Sequence, residues 1–437
     1  MNGLLTDLYE LTMAAGYFEA GKTAEKATFE LAIRRLPANR NFAVVAGLPQ
    51  VVDFLLNLSF TAAEIEYLRG LPQFRRASPQ FFDYLRGFRF TGDLFAVPEG
   101  TPMFAGEPLL SIRAPLIEAQ LPETYVLSAI TFPTLVASKA ARCVQAAAGR
   151  AVVEFGTRRA HTAEAGVLGA RAAYIAGCAG TSNTQAGFRF GVPVKGTAAH
   201  SWVMSFSSEV ESFRQLQRVL GEEAIQLIDT YDTVEGARRA AQLGRPIHGV
   251  RIDSGDSLAL SRRVRAVLDE AGLRDAQIMV SGDLDEFKIR DLVKANAPID
   301  AFGVGTQMAT SGDAPFMNAT YKIVELSIGG INRFTTKLSE DKISLPGAKQ
   351  VFREPHRDVL ARSGECGRGE ALMRPVILGG RLVEPLPSLE EVRCHAAEAI
   401  GCLPQPLREL ELAEPQPIVY SRELQALIDQ TRRNLTP

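Results

Sequence analysis

The middle of the chain repeats one local pattern seven times, and this pattern restricts the fold more than any other feature. A β-prone run ends in glycine, threonine, serine or aspartate, and a helical stretch usually follows. The runs are 152–155, 173–177, 192–195, 225–228, 248–252, 278–280 and 301–304. Strands that alternate with helices pair in parallel through right-handed crossovers. Seven units approach closure, so the pattern predicts an α/β fold with an irregular, roughly seven-stranded TIM-like barrel. An open doubly wound sheet is the rival. In either topology the polar strand ends gather on one face, where such sheets place their chemistry.

The flanks read differently. Residues 1–120 mix a β-prone piece at 27–33 with a helix at 48–58, and 95–114 reads as strands with turns. A long helix over 122–148 leads into the barrel, which is assigned to 121–344. Two strands, 321–326 and 331–337, form a hairpin around Gly329-Gly330. Residues 345–437 end in a helix capped by Ser421. The N- and C-terminal segments together are expected to build an α+β accessory domain. Within the barrel, Thr233, Ser257 and Asp283 are the expected helix caps.

Composition excludes several function classes. The net charge is −2, so no general basic field exists for nucleic acid or an anionic membrane, and any anion needs a local cluster. No apolar run reaches the ~20 residues that span a bilayer. The N-terminus lacks the pattern of a secretory signal. The five cysteines include no C-x-x-C pair, which fits reduced thiols in a cytoplasmic protein. Cys394, His395 and Cys402, with Cys366 nearby in sequence, match no common zinc spacing.

Chemistry concentrates at the strand ends. His200 follows Lys195-Gly196-Thr197-Ala198-Ala199 and sits among small residues. It reads either as a hydrogen-bonded histidine at a strand end or as a base, acid, metal ligand or nucleophile. Gly303-Val304-Gly305-Thr306 and Ser281-Gly282-Asp283 close the last two strands. Glycines there let backbone N–H groups approach phosphate oxygens, although glycine turns at strand ends are common. Arg251 and Asp253 share one strand face, either as a buried ion pair or as ligand contacts. Ser254 follows them. Phe155 with Arg158 and Arg159 suits a flat anion. Asp229, Asp232 and Thr233 could serve a magnesium pyrophosphate or simply cap and turn the chain. No Walker loop or dinucleotide fingerprint is present.

Taken as a set, Thr6–Met13, Glu154–Arg159, Gly180–Asn183, Gly196–Ser201, Arg251–Asp256 and Gly303–Thr306 resemble the nicotinate phosphoribosyltransferase family, collinearly from residue 4 to about residue 325. The resemblance implies a type II phosphoribosyltransferase barrel and the conversion of nicotinate and phosphoribosyl pyrophosphate to nicotinate mononucleotide and pyrophosphate. It implies coupling to ATP, with magnesium as cofactor, through a phosphohistidine at His200. Arg251 and Asp253 join His200 as catalytic positions. Tyr9, Phe155, Arg158, Ser182, Thr197, Arg251, Ser254, Gly282, Asp283, Gly303, Gly305 and Thr306 become substrate contacts. The resemblance also implies a homodimer in which the partner subunit supplies Tyr9; read alone, Tyr9 is a helix residue half-buried in a core. Related nicotinamide enzymes carry an acidic residue near the position of Ser182, so serine favours the acid over the amide. Transfer to nicotinamide or quinolinate, and a non-catalytic pyridine-nucleotide sensor, are the alternatives.

Overall fold

In a computed structural model, which describes residues 3–245, 247–337 and 344–435, the central repeats form one parallel sheet. Its strands, in spatial order, are Gly180–Thr181, Ala151–Glu154, Ala301–Val304, Gln277–Val280, Gly249–Ile252 and Ile225–Leu227. All pair in parallel. A single bridge from Thr181 to Val194 adds a seventh position at one edge. No ladder among the described residues joins Val194 to Ile225–Leu227, so the sheet is a curled, open half-barrel and not a closed seven-stranded one. The curl shows in one cavity, lined by both Val194 and Ile225 from opposite ends of the ladder.

Two expected strands change. The run 173–177 is the end of the helix Ala163–Ile175, and the strand comes just after it, at Gly180–Thr181. Alanine-rich sequence favours the helix, and Thr162 caps it by accepting the Ala165 N–H. Gly177, at φ +106, then turns the chain out of it. The run 192–195 contributes only the bridge at Val194. The helix caps also shift. Asp232, Asp256 and Asp285 each accept two backbone N–H groups, displacing Thr233, Ser257 and Asp283 from that role. A carboxylate that takes two orphan donors is the stronger cap.

The chain divides into two compact units, Leu135–Pro315 and Met1–Thr134 with Phe316–Pro437. The helix Glu123–Ala146 therefore runs through the first boundary, and the divisions lie at 134/135 and 315/316 instead of 120/121 and 344/345. The second shift has a clear cause. The strand Asn318–Ile328 pairs antiparallel with Lys26–Arg35 and so belongs to the sheet of the first segment. That sheet runs Ile331–Phe334, Asn318–Ile328, Lys26–Arg35, Pro108–Pro115, Asp93–Ala96, Arg374–Leu378 and Arg381–Leu382. Ile328 opposes Ile331 across Gly329 and Gly330, both at positive φ, which makes a tight two-residue turn.

Candidate active site

The parallel register brings the C-terminal ends of the strands to one edge. Glu154 opposes Thr181 and Val304, and Val280 opposes Ile252. On the Gly249–Ile252 strand, Val250 and Ile252 are fully buried, so alternation turns Arg251 to the other face. There it lines a cavity of about 530 Å³ with Phe155, Arg158, Ser182, Thr197, His200 and Asp253. Seven residues nominated from sequence thus meet around one space.

Arg251 organises the cavity. Its Nε donates to Ser281 Oγ at 2.8 Å, one Nη to Thr197 Oγ1 at 2.7 Å and the other to Asp253 Oδ1 at 2.6 Å. The guanidinium carbon lies 5.5 Å from the Phe155 ring centre, a cation–π distance. Ser281 Oγ also donates to Asp253 Oδ1 at 2.5 Å. Burial pushes the Asp253 carboxyl up, but the Ser281 hydrogen bond and the charge and hydrogen bond of Arg251 outweigh it and hold the group below the usual carboxylate range. The Arg251–Asp253 pair is therefore an ion pair, and both of its members line the cavity.

His200 begins the short helix His200–Met204. Its Nδ1 lies 3.1 Å from Thr230 Oγ1, and its Nε2 lies 3.8 Å from Asp253 Oδ2. The side chain is 41% exposed, so the ring is both oriented and reachable.

The remaining nominated residues lie outside the lining. Ser254 Oγ donates to Asp229 Oδ2 at 2.6 Å. Gly282 has φ +90, and a Cβ there would stand 2.0 Å from the Asp253 carbonyl oxygen. Only glycine allows that turn to approach the neighbouring strand end. A Cβ on Gly303 would stand 2.6 Å from the Phe155 ring, so this glycine makes room for the aromatic. Gly305 packs against the Phe155 backbone and precedes the helix Thr306–Ala309. Asp283, at φ +48, accepts Lys288 Nζ on its carbonyl. Tyr9 lies on the helix Leu8–Glu19 of the other unit and is 47% exposed, which overturns the half-buried core reading. Sequence reasoning missed Lys195, Thr157 and Thr184 in the lining, and Thr230 and Ser281 as partners of His200 and Arg251. For Thr157, Thr230 and Ser281 a position just after a β-prone run was the available signal, and for Lys195 a position at the end of one.

The described residues contain no group of three or more His, Cys, Asp or Glu side chains placed to hold a metal. His395 instead bonds Thr101 Oγ1 at 2.9 Å, and Cys366, Cys394 and Cys402 are free thiols. No helix among the described residues is long and apolar enough to cross a membrane.

Comparison with known proteins fixes the reading. The nicotinate phosphoribosyltransferase (NAPRTase) N-terminal domain matches residues 4–131, and the nicotinate phosphoribosyltransferase (NAPRTase) family matches residues 151–343. The chain belongs to the nicotinate phosphoribosyltransferase family. It is 44% identical over 423 residues to the nicotinate phosphoribosyltransferase pncB2 of Mycobacterium tuberculosis, covering 94% of this chain and 89% of that one. Identity to the human nicotinate phosphoribosyltransferase is 32%, covering 99% of this chain and 97% of the relative. The crystal structure of human nicotinic acid phosphoribosyltransferase superposes with a TM-score of 0.83 at 29% identity, over 98% of this chain and all of that one. The chain is thus an enzyme of NAD biosynthesis, and the family implies nicotinate and phosphoribosyl pyrophosphate as its substrates.

Proposed function

We propose that the cavity beneath Arg251 transfers a phosphoribosyl group to the ring nitrogen of nicotinate, with ATP hydrolysis coupled through His200. The observation that carries this is the lining itself. Arg158, Lys195 and Arg251 set three cations against the single carboxylate Asp253, beside the aromatic Phe155. Such a site suits a flat carboxylate and a pyrophosphate better than a neutral amide. The nucleophile is a neutral ring nitrogen, so no strong base is required. The enzyme holds the partners in line while the bond from ribose C1 to pyrophosphate breaks and the bond to nitrogen forms. Phe155 and, from the partner subunit of a homodimer, Tyr9 hold the ring by its faces. Arg251 and Thr197 take its carboxylate. Serine at position 182 leaves that carboxylate unopposed. The turns at Ser254, 282–283 and 303–306 receive ribose and phosphate.

Magnesium fits this arrangement as a passenger on pyrophosphate or ATP. Asp229 is nearly buried; its Oδ2 accepts from Asp253 N and Ser254 Oγ, and its Oδ1 has no hydrogen-bond partner among the described residues. One carboxylate oxygen suits a metal whose other ligands come from substrate and water. When bound, the ion neutralises charge on the leaving pyrophosphate. The cytoplasm is the proposed compartment.

The test offers the purified protein nicotinate or nicotinamide with phosphoribosyl pyrophosphate, with and without ATP, and identifies the products. Nicotinate mononucleotide is expected, formed faster with ATP. In His200→Asn the stimulation by ATP disappears while slow ATP-independent transfer persists. Turnover of neither pyridine would refute the reading, and undiminished ATP stimulation in the variant would remove His200 from it.

A further inference from the structure

Glu154 ends the strand Ala151–Glu154 and does not line the cavity. It is 1% exposed, and burial pushes its carboxyl up. A carboxylate in that position is costly, and an apolar side chain would fill the space more cheaply. What the carboxylate does is join two turns. It accepts the Thr181 hydroxyl at 2.5 Å from the neighbouring strand, and the Gly156 N–H from its own turn. The Glu154 carbonyl accepts Ser182 N–H at 2.9 Å.

The tie extends one residue further. Thr181 Oγ1 accepts Asn183 N–H at 2.9 Å, and Asn183 Nδ2 donates to Thr157 Oγ1 at 3.0 Å. Asn183 Oδ1 also caps the helix Thr184–Phe190 by accepting Ala186 N–H. Turn 155–159 and turn 181–184 are therefore braced against each other through Glu154 and Thr181. From the first turn Phe155 and Arg158 face the cavity, and from the second Ser182 faces it. The carboxylate makes no hydrogen bond among the described residues to the turns at 253–256, 281–283 or 303–306.

We infer that Glu154, acting through Thr181 and Gly156, is a positioning residue that sets the width of the pyridine subsite and so the preference for the acid over the amide. The inference rests on the proposal that the ring lies between Phe155 and Ser182. Thr181→Val removes one donor to the carboxylate at constant shape, and Glu154→Gln leaves a side chain that can accept only one of the two N–H or O–H donors. Misplacing one wall raises KM for nicotinate about tenfold and lowers the nicotinate-to-nicotinamide ratio of kcat/KM by about as much. KM for phosphoribosyl pyrophosphate stays within about twofold of wild type, and Thr181→Ser restores both nicotinate values.

An unchanged selectivity ratio in Thr181→Val overturns the inference. So does a parallel rise in both KM values with a lower melting temperature, because that is what a merely structural brace would give. If Glu154→Gln does not fold, the Thr181→Val and Thr181→Ser pair decides. Ser182→Asp separates the two levels. If that change leaves selectivity untouched, the placement of the ring is wrong and the inference falls with it; if it shifts selectivity while Thr181→Val does not, only the role of Glu154 falls.

Discussion

Replacing Arg251 by lysine tests how much of the site depends on a fork and how much on a charge. The guanidinium reaches Ser281, Thr197 and Asp253 through three different nitrogens, and these acceptors stand on three different elements. An ammonium is a point donor on a flexible stem and cannot span all three. The side chain is only 14% exposed, so water does not replace the lost partners freely. Losing two hydrogen bonds to a charged donor, at about 1.5 kcal/mol each, removes about 3 kcal/mol. If that loss is felt in the transition state, kcat/KM for nicotinate falls by about 150-fold. Initial rates of nicotinate mononucleotide formation at saturating co-substrates measure it, alongside a thermal melt that separates misfolding from lost catalysis. Combining Arg251→Lys with Thr197→Val adds a second criterion. The double variant should lose less than the product of the two single losses, because both remove the same contact. A drop below about fivefold with an unchanged melt would refute the argument, and strictly multiplicative losses would show that Thr197 does not act through Arg251.

Three further outcomes are expected. Ser182→Asp places a carboxylate at the cavity wall and should shift preference from nicotinate towards nicotinamide by about tenfold or more, read as the ratio of kcat/KM values. Lys195→Met should raise KM for the anionic substrates and weaken its dependence on ionic strength, measured between low and physiological salt. Glu10, fully buried on the helix Leu8–Glu19, is pushed by burial from 4.5 up to about 7. The folded state then binds the proton more tightly than the unfolded state. That contribution is complete below the ordinary value and is lost as pH rises through about 7. Thermal melts across this range should fall in the wild type and flatten in Glu10→Gln.

Much of the central unit was legible because each strand announces itself locally. The runs at 152–155, 225–228, 248–252, 278–280 and 301–304 each carry β-branched or aromatic residues and stop at turn residues, and the structure has strands at each. The run 173–177 misled because Tyr174 and Ile175 are β-prone while their alanine-rich neighbours favour helix, and the helix wins through its cap at Thr162. The caps slipped by one or two residues because serine, threonine and aspartate compete at adjacent positions. The seven lining residues were readable because strand ends carry function and their residue types are unusual there. Ser281 and Thr230 were not, since only the fold brings them to Arg251 and His200. Pairings such as Arg374–Leu378 with Asp93–Ala96 leave no local trace at all, because they join segments far apart in the chain.

The cations of the cavity divide their labour, and the hydrogen bonds show how. Arg251 carries the full set of protein acceptors and an adjacent carboxylate, so its charge is largely compensated before any ligand arrives. It fixes geometry. Arg158 and Lys195 have no carboxylate partner among the described residues, and they line the same space. They supply the local positive potential that a chain of net charge −2 lacks overall. Long-range attraction falls off over about 8–10 Å at physiological salt, so cations at the cavity wall outweigh the chain's overall charge for an approaching anion. Substituting either outer cation should therefore be felt in capture and in its salt dependence, whereas Arg251 should be felt in turnover. If the pyridine binds here as proposed, Arg251 meets its carboxylate while the two outer cations favour an anionic over a neutral ring.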